Sequence, residues 1–134
     1  MATIYKEFAV AVPAIFAWNA VKDVGSIHKR LVVGFVVDTV LENDVRKVTF
    51  GNGMVVKEKI ITVSDDLRRL AYTAIGGRTT HHNAYVQVIP DGNASCRLLW
   101  VTDLLPNALA GPIGQMVEAG AAAMKKTLES AYQP

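Results

Sequence analysis

Glu58, Tyr72 and His82 are the side chains of this sequence best able to act together. They offer a carboxylate, a phenol and an imidazole on strand-like segments that are otherwise apolar. A desolvated Glu near a His can serve as a general acid/base pair, because burial raises the carboxyl pKa toward that of the imidazole. Tyr72 could polarise a ligand carbonyl or orient a water, and such a set would suit aldol cyclisation or dehydration of a bound ketone. Each residue also has a purely structural reading. Glu58 lies between Lys57 and Lys59 and suits a solvated or cross-strand charge, since acidic side chains are seldom buried. His82 suits a hydrogen-bonded sheet residue.

No metal and no cofactor are expected. Neighbours on a strand face opposite ways, so His81 and His82 cannot jointly hold one ion. His28 belongs to a different, helical segment, and His, Asp and Glu do not recur at zinc-protease spacing. Cys96 is alone, which excludes an internal disulfide and a cysteine-based zinc knuckle, and it reads as buried rather than nucleophilic. The glycines of 51–53 and 76–77 are turn glycines, because neither pair leads into a helix at phosphate-loop spacing.

The elements that must position these groups follow from periodicity. Residues 4–12 read as a strand, and Pro13 opens a short helix over 14–21 with Ile15, Trp18 and Val21 inward. Asp23 is placed to cap a second short helix over 26–30. From Leu31 the period becomes two. Strands are expected at 32–42, 45–51, 54–63, 68–75, 79–89 and 95–105, joined by short turns such as Pro90-Asp91-Gly92-Asn93. Loops this short force neighbouring strands to run antiparallel. Then Leu105, Leu109, Ile113, Met116, Gly120, Met124 and Leu128 recur three or four apart, on one face of a long terminal helix. Asp103 is placed to satisfy that helix's N-terminus, and Gly111-Pro112 leaves its start open.

The fold class is therefore α+β, with a curved seven-stranded antiparallel sheet around a long C-terminal helix and two short helices after the first strand. Alternation puts Val56, Glu58, Ile60 and Thr62 on one face, Leu70, Tyr72 and Ala74 on another, and His82 with Ala84, Val86 and Val88. The small-residue patch 119–123 either lets the helix backbone approach the sheet closely or leaves space beneath it. In the second case the core holds a cavity, and an apolar cavity with a few polar groups is a ligand site.

Composition narrows the classes of function. A chain of 134 residues reads as one domain, 1–134, and 51% hydrophobic with 19% charged residues is a compact composition. Net charge is +2 and no run of Lys or Arg exceeds two, so no nucleic-acid partner is expected. The N-terminus lacks a signal-peptide layout and no apolar run reaches membrane-spanning length, so a cytoplasmic setting is expected. Ala-, Val- and Gly-rich usage suits a bacterial protein.

VPAIFAWNAVKDV at the first helices, GNGMVVKEKI and DDLRRLAYTAIGG in the sheet, and PDGNASCRLLWVTDLLP before the long helix resemble the helix-grip superfamily. That superfamily (SRPBCC) includes START lipid-transfer domains, birch-pollen-allergen-like plant proteins and bacterial polyketide cyclases. The likeness is closest to small bacterial members, SRPBCC domains of the polyketide cyclase/dehydratase-like kind. It implies that the tryptophan of the last strand looks inward, carrying Leu98, Trp100 and Thr102 into the cavity. With Val86, Ile60, Met116, Gly120 and Met124 these would bind a ligand, and Arg78 would either be solvated, gate the entrance or meet an anionic group. The resemblance implies a protein that binds a hydrophobic small molecule, lipid, polyketide or aromatic, as a monomer or homodimer. The alternatives are a cyclase or dehydratase using Glu58, Tyr72 and His82, and an interaction protein whose cavity is vestigial. Fold alone does not choose among them.

Overall fold

Alternating branched and aromatic residues build an antiparallel sheet whose ends are closed by short turns. The computed structural model describes residues 1–134. β1 (Ala2–Val10) is followed by α1 (Ala14–Lys22) and α2 (Ile27–Arg30). Six strands come next: β2 (Val36–Glu42), β3 (Val45–Phe50), β4 (Val55–Ser64), β5 (Arg69–Ile75), β6 (His81–Asp91) and β7 (Ser95–Leu105). A 3₁₀ turn at Asn107–Leu109 then leads into α3 (Ala110–Ala131). The seven strands form one sheet in the order β1-β7-β6-β5-β4-β3-β2, every pair antiparallel.

α3 lies against the concave face and is tied to β1 by polar contacts at its margin. Lys6 Nζ meets the Glu118 carboxylate at 2.9 Å, Lys125 Nζ donates to the Ala9 carbonyl at 3.1 Å, and Glu129 accepts the Ala11 amide at 2.8 Å. Its buried stripe is Val117, Gly120, Ala121, Met124 and Leu128, continuing Leu109 of the preceding turn. Three members of the expected stripe fall out: Leu105 still belongs to β7, and Ile113 and Met116 are only half-buried. Pro112 sits in the first turn, where its missing N–H leaves no helical bond unmade.

Several local expectations are corrected. Ile15 is 59% exposed, because Ala14, Ala17, Trp18, Ala20 and Val21 form the buried side of α1. Asp103 does not cap α3. It points to the outer face of β7, where its carboxylate accepts Thr3 Oγ1–H at 2.7 Å and Asn83 Nδ2–H at 3.1 Å. Asp23 caps nothing by its side chain and pairs with Arg30 at 2.8 Å. Thr62 is exposed, because a bulge between Ile60 and Thr62 shifts the β4–β5 register and flips the alternation beyond it.

The main core clusters around Trp18, Val10, Leu70, Leu98, Met124 and Leu128, toward the end of the molecule where α1 crosses β6 and β7. Trp18 is fully enclosed, and its Nε1–H donates to Asp65 Oδ1 at 2.8 Å. At the other end the β5–β6 ladder stops at Tyr72–Ala84, although β6 and β7 pair along their whole length. The two strands splay past that point, and Gly76 and Gly77, at φ 71° and 74°, turn the chain back in a conformation that favours glycine.

Candidate functional site

The splayed end opens into a cavity of about 450 Å³ between the sheet and α3. Its wall is mostly apolar, drawn from α1, α2, every strand from β2 to β7 and α3 as far as Met124. Most of the polar exceptions lie on five adjacent strands, Arg46 (β3), Glu58 (β4), Tyr72 (β5), His82 (β6) and Trp100 with Thr102 (β7), and Arg78 and Thr79 add to them from the loop after β5.

Antiparallel pairing explains why these groups converge. Arg46 stands directly opposite Glu58, and Glu58 opposite Ala74. Arg46 is 4% exposed, and its Nε–H donates to Glu58 Oε1 at 2.8 Å. The Arg46 guanidinium also lies over the Tyr72 ring, 5.1 Å from the centroid, where a cation meets the negative face of the π system. Tyr72 Oη accepts the Trp100 Nε1–H at 3.0 Å, which leaves its own hydrogen free to donate. Burial, with the Glu58 charge adding to it, pushes the Tyr72 hydroxyl far above the usual phenol range, although Arg46 and the Trp100 bond oppose this. Tyr72 is therefore a neutral donor.

His82 takes over where the ladder fails. The Ala74 amide donates to His82 Nδ1 at 2.9 Å, and Thr73 Oγ1–H donates to the His82 carbonyl. Because Nδ1 is the acceptor, the neutral ring carries its hydrogen on Nε2, which has no partner within the protein. Burial holds the His82 pKa below its ordinary value, and His81 acts in the same direction while Glu58 opposes both. The site thus holds two adjacent donors, His82 Nε2–H and Tyr72 O–H, beside the Arg46–Glu58 pair. A donor at Nε2 differs from the general base that the sequence alone allowed for this residue.

That depressed pKa makes stability depend on pH with a fixed sign. The unfolded chain takes up a proton near the ordinary histidine value of 6.5, before the folded chain does. His82 should therefore contribute no loss above that pH, and a progressive loss as pH falls from it toward the lower folded value. Urea midpoints recorded between pH 8 and pH 5 should fall less in H82Q than in the wild type. Parallel pH profiles would show that the folded ring protonates as freely as the unfolded one.

Of the residues expected at the site, Glu58, Tyr72, His82, Trp100, Thr102, Val86, Met116, Met124 and Arg78 line the cavity. Leu98, Ile60 and Gly120 do not. Leu98 is fully enclosed in the main core and Ile60 packs against that core. Gly120 lies under Trp100: a Cβ there would meet Trp100 Cζ3 at 2.9 Å and Cη2 at 3.0 Å. The small-residue patch is thus a point of close approach, and the free space lies nearer the start of α3. His28 does not line the cavity, and Cys96 is buried, its thiol pushed up to about 11 by desolvation. Arg46 is the residue that sequence reasoning missed. The signal was present, since alternation in β3 places Arg46 on one face with Val48 and Phe50.

A curved sheet gripping a long helix over an apolar cavity defines the SRPBCC, or START-like, class. The chain belongs to the family described as polyketide cyclase / dehydrase and lipid transport, whose model matches residues 1–133. Among solved structures, it is similar to a START superfamily protein from Mycobacterium smegmatis, with 16% identity and a TM-score of 0.79 over 97% of this chain and 99% of that one. It is also similar to norcoclaurine synthase from Thalictrum flavum, with 24% identity and a TM-score of 0.74 over 96% and 94%. A third likeness is to the di-domain ARO/CYC protein BexL, with 14% identity and a TM-score of 0.85 over all of this chain and 48% of that one. At these identities the likeness shows the fold. No curated protein matches the sequence. No helix is long and apolar enough to cross a membrane.

Proposed function

We propose that this protein binds a hydrophobic small molecule, of lipid, polyketide or aromatic type, in the cavity between the sheet and α3. The observation that carries the reading is the enclosure itself, about 450 Å³ of largely apolar wall with its polar groups gathered on one side. That size suits a drug-sized ligand. Apolar burial would supply the affinity, at about 25 cal/mol per Å², and the donors on Tyr72 and His82 would orient an oxygen acceptor. The protein acts in this reading as a single domain, in the cytoplasm, as a monomer or homodimer and without a nucleic-acid partner.

An environment-sensitive neutral dye, phenylnaphthylamine, tests it. The wild type should bind the dye with micromolar affinity, and A74F should weaken binding by at least about tenfold, because Ala74 lines the cavity and a phenyl ring there would fill it. Equal binding by both proteins would place the dye elsewhere and remove the support for a cavity ligand.

A second reading, a cyclase or dehydratase, is favoured by one further observation. Glu58 Oε2 has no partner and lies one strand from Tyr72 and two from His82. A ketone oxygen held by the two donors would present its α-hydrogen to this carboxylate. The resulting enolate carbon would attack a second carbonyl, the alkoxide formed would take the proton from the Glu58 carboxyl, and the β-hydroxyl would then leave as water with the remaining α-hydrogen. Offered poly-β-ketone substrates, the wild type should then turn over and E58Q should not, with dye binding retained in both. Equal turnover would dismiss Glu58 as the base.

A further inference from the structure

The entrance to the cavity is unlike the rest of the surface in charge. Met54, Val55, Gly76, Gly77, Arg78 and Pro112 both line the cavity and face solvent, so the opening lies among residues 51–56, 76–80 and 105–117. These segments contain no Asp, no Glu and no Lys, in a chain with 14 basic and 12 acidic residues. Their one charged side chain is Arg78, which forms no ion pair and no hydrogen bond within the protein. Deeper in the cavity, the Arg46 charge is already matched by Glu58 at 2.8 Å. Arg78 is therefore the uncompensated charge of the site, set at the rim of an apolar wall with no carboxylate in the surrounding segments to neutralise it.

We infer that the ligand is an amphiphilic anion whose apolar body fills the cavity and whose anionic group, a carboxylate in the simplest case, meets Arg78 at the mouth. This rests on the binding proposed above and narrows it to one class. A guanidinium suits the task, since its planar fork can pair both oxygens of a carboxylate. A neutral apolar molecule would gain the same burial and leave Arg78 unpaired. A dianion or a large polar headgroup would find no second cation in these segments.

Two dyes with the same aromatic body separate the charge from the cavity: anilinonaphthalene sulfonate and neutral phenylnaphthylamine. R78Q should weaken the sulfonate about fivefold, the scale of one exposed ion pair, and leave the neutral dye within about twofold. R78K should keep most of the sulfonate's affinity, and added salt should reduce it in the wild type and R78K but not in R78Q. If R78Q shifts both dyes alike, or neither, the inference is overturned while the cavity reading stands. If neither dye binds the wild type, or A74F leaves both unaffected, the cavity reading fails and the inference with it.

Discussion

R46M should destabilise the protein by about 3 kcal/mol, and R46M/E58L should recover most of that loss. Arg46 is enclosed, and the Glu58 side chain that accepts its Nε–H is only 14% exposed. Removing the cation alone strands a carboxylate near the Tyr72 hydroxyl, where little water can screen it. Removing both charges with side chains of similar volume leaves an apolar wall, and such replacements are close to neutral. Urea denaturation of the two variants against wild type gives the comparison directly. The single variant should also raise the His82 pKa, because the Glu58 charge would then act on the imidazole without Arg46 beside it. A loss below about 1 kcal/mol in R46M would mean that water reaches the pair and screens it as at a surface.

G120L should cost about 1 kcal/mol and sharply reduce dye binding, although the substitution favours a helix. Leucine is the better helix former by about 1 kcal/mol, so on propensity alone stability should rise. Packing opposes this. The added Cβ would lie 2.9 Å from Trp100 Cζ3 and 3.2 Å from Phe35 Cε2, with the rest of the side chain still to place. Overpacking of that kind costs about 1–3 kcal/mol. Trp100 cannot yield without breaking its 3.0 Å bond to Tyr72, and the direction open to it is the cavity. Tryptophan emission, urea midpoints and dye titration should move together. A G120L protein with wild-type stability and wild-type dye binding would show that α3 does not press on Trp100.

The sequence made the element order legible, and the inward faces of β5, β6 and β7 with it, because short turns and a strict period of two leave few alternatives. Where the period failed, so did the reading. Ile60-Ile61-Thr62 is a run of branched residues without alternation, and the bulge there sends Thr62 outward. Ile15 was expected inward as the larger apolar residue, yet α1 packs closely through alanines around Trp18. Glu58 had two readings, and the cross-strand one describes its contact with Arg46, but a partner twelve residues away becomes visible only once the β3–β4 register is known. His82 is a donor at Nε2 because of one backbone amide, and no pattern of side chains encodes that. Gly120 was read with the cavity wall and instead marks where the helix touches the sheet.

The parting of β5 and β6 beyond Tyr72–Ala84 has a kinetic consequence. Sheet elements that share a full ladder exchange their amides only when a large part of the fold opens, whereas a splayed segment can open alone. Residues 76–80 border the cavity at the point where the ladder has already been given up. Cargo could enter and leave there without separating β6 from β7 or lifting α3 from β1. If the chain binds a ligand as proposed, residence time and global lifetime would be uncoupled: one would follow the breathing of a short glycine-bearing loop, the other the unfolding barrier of the whole sheet.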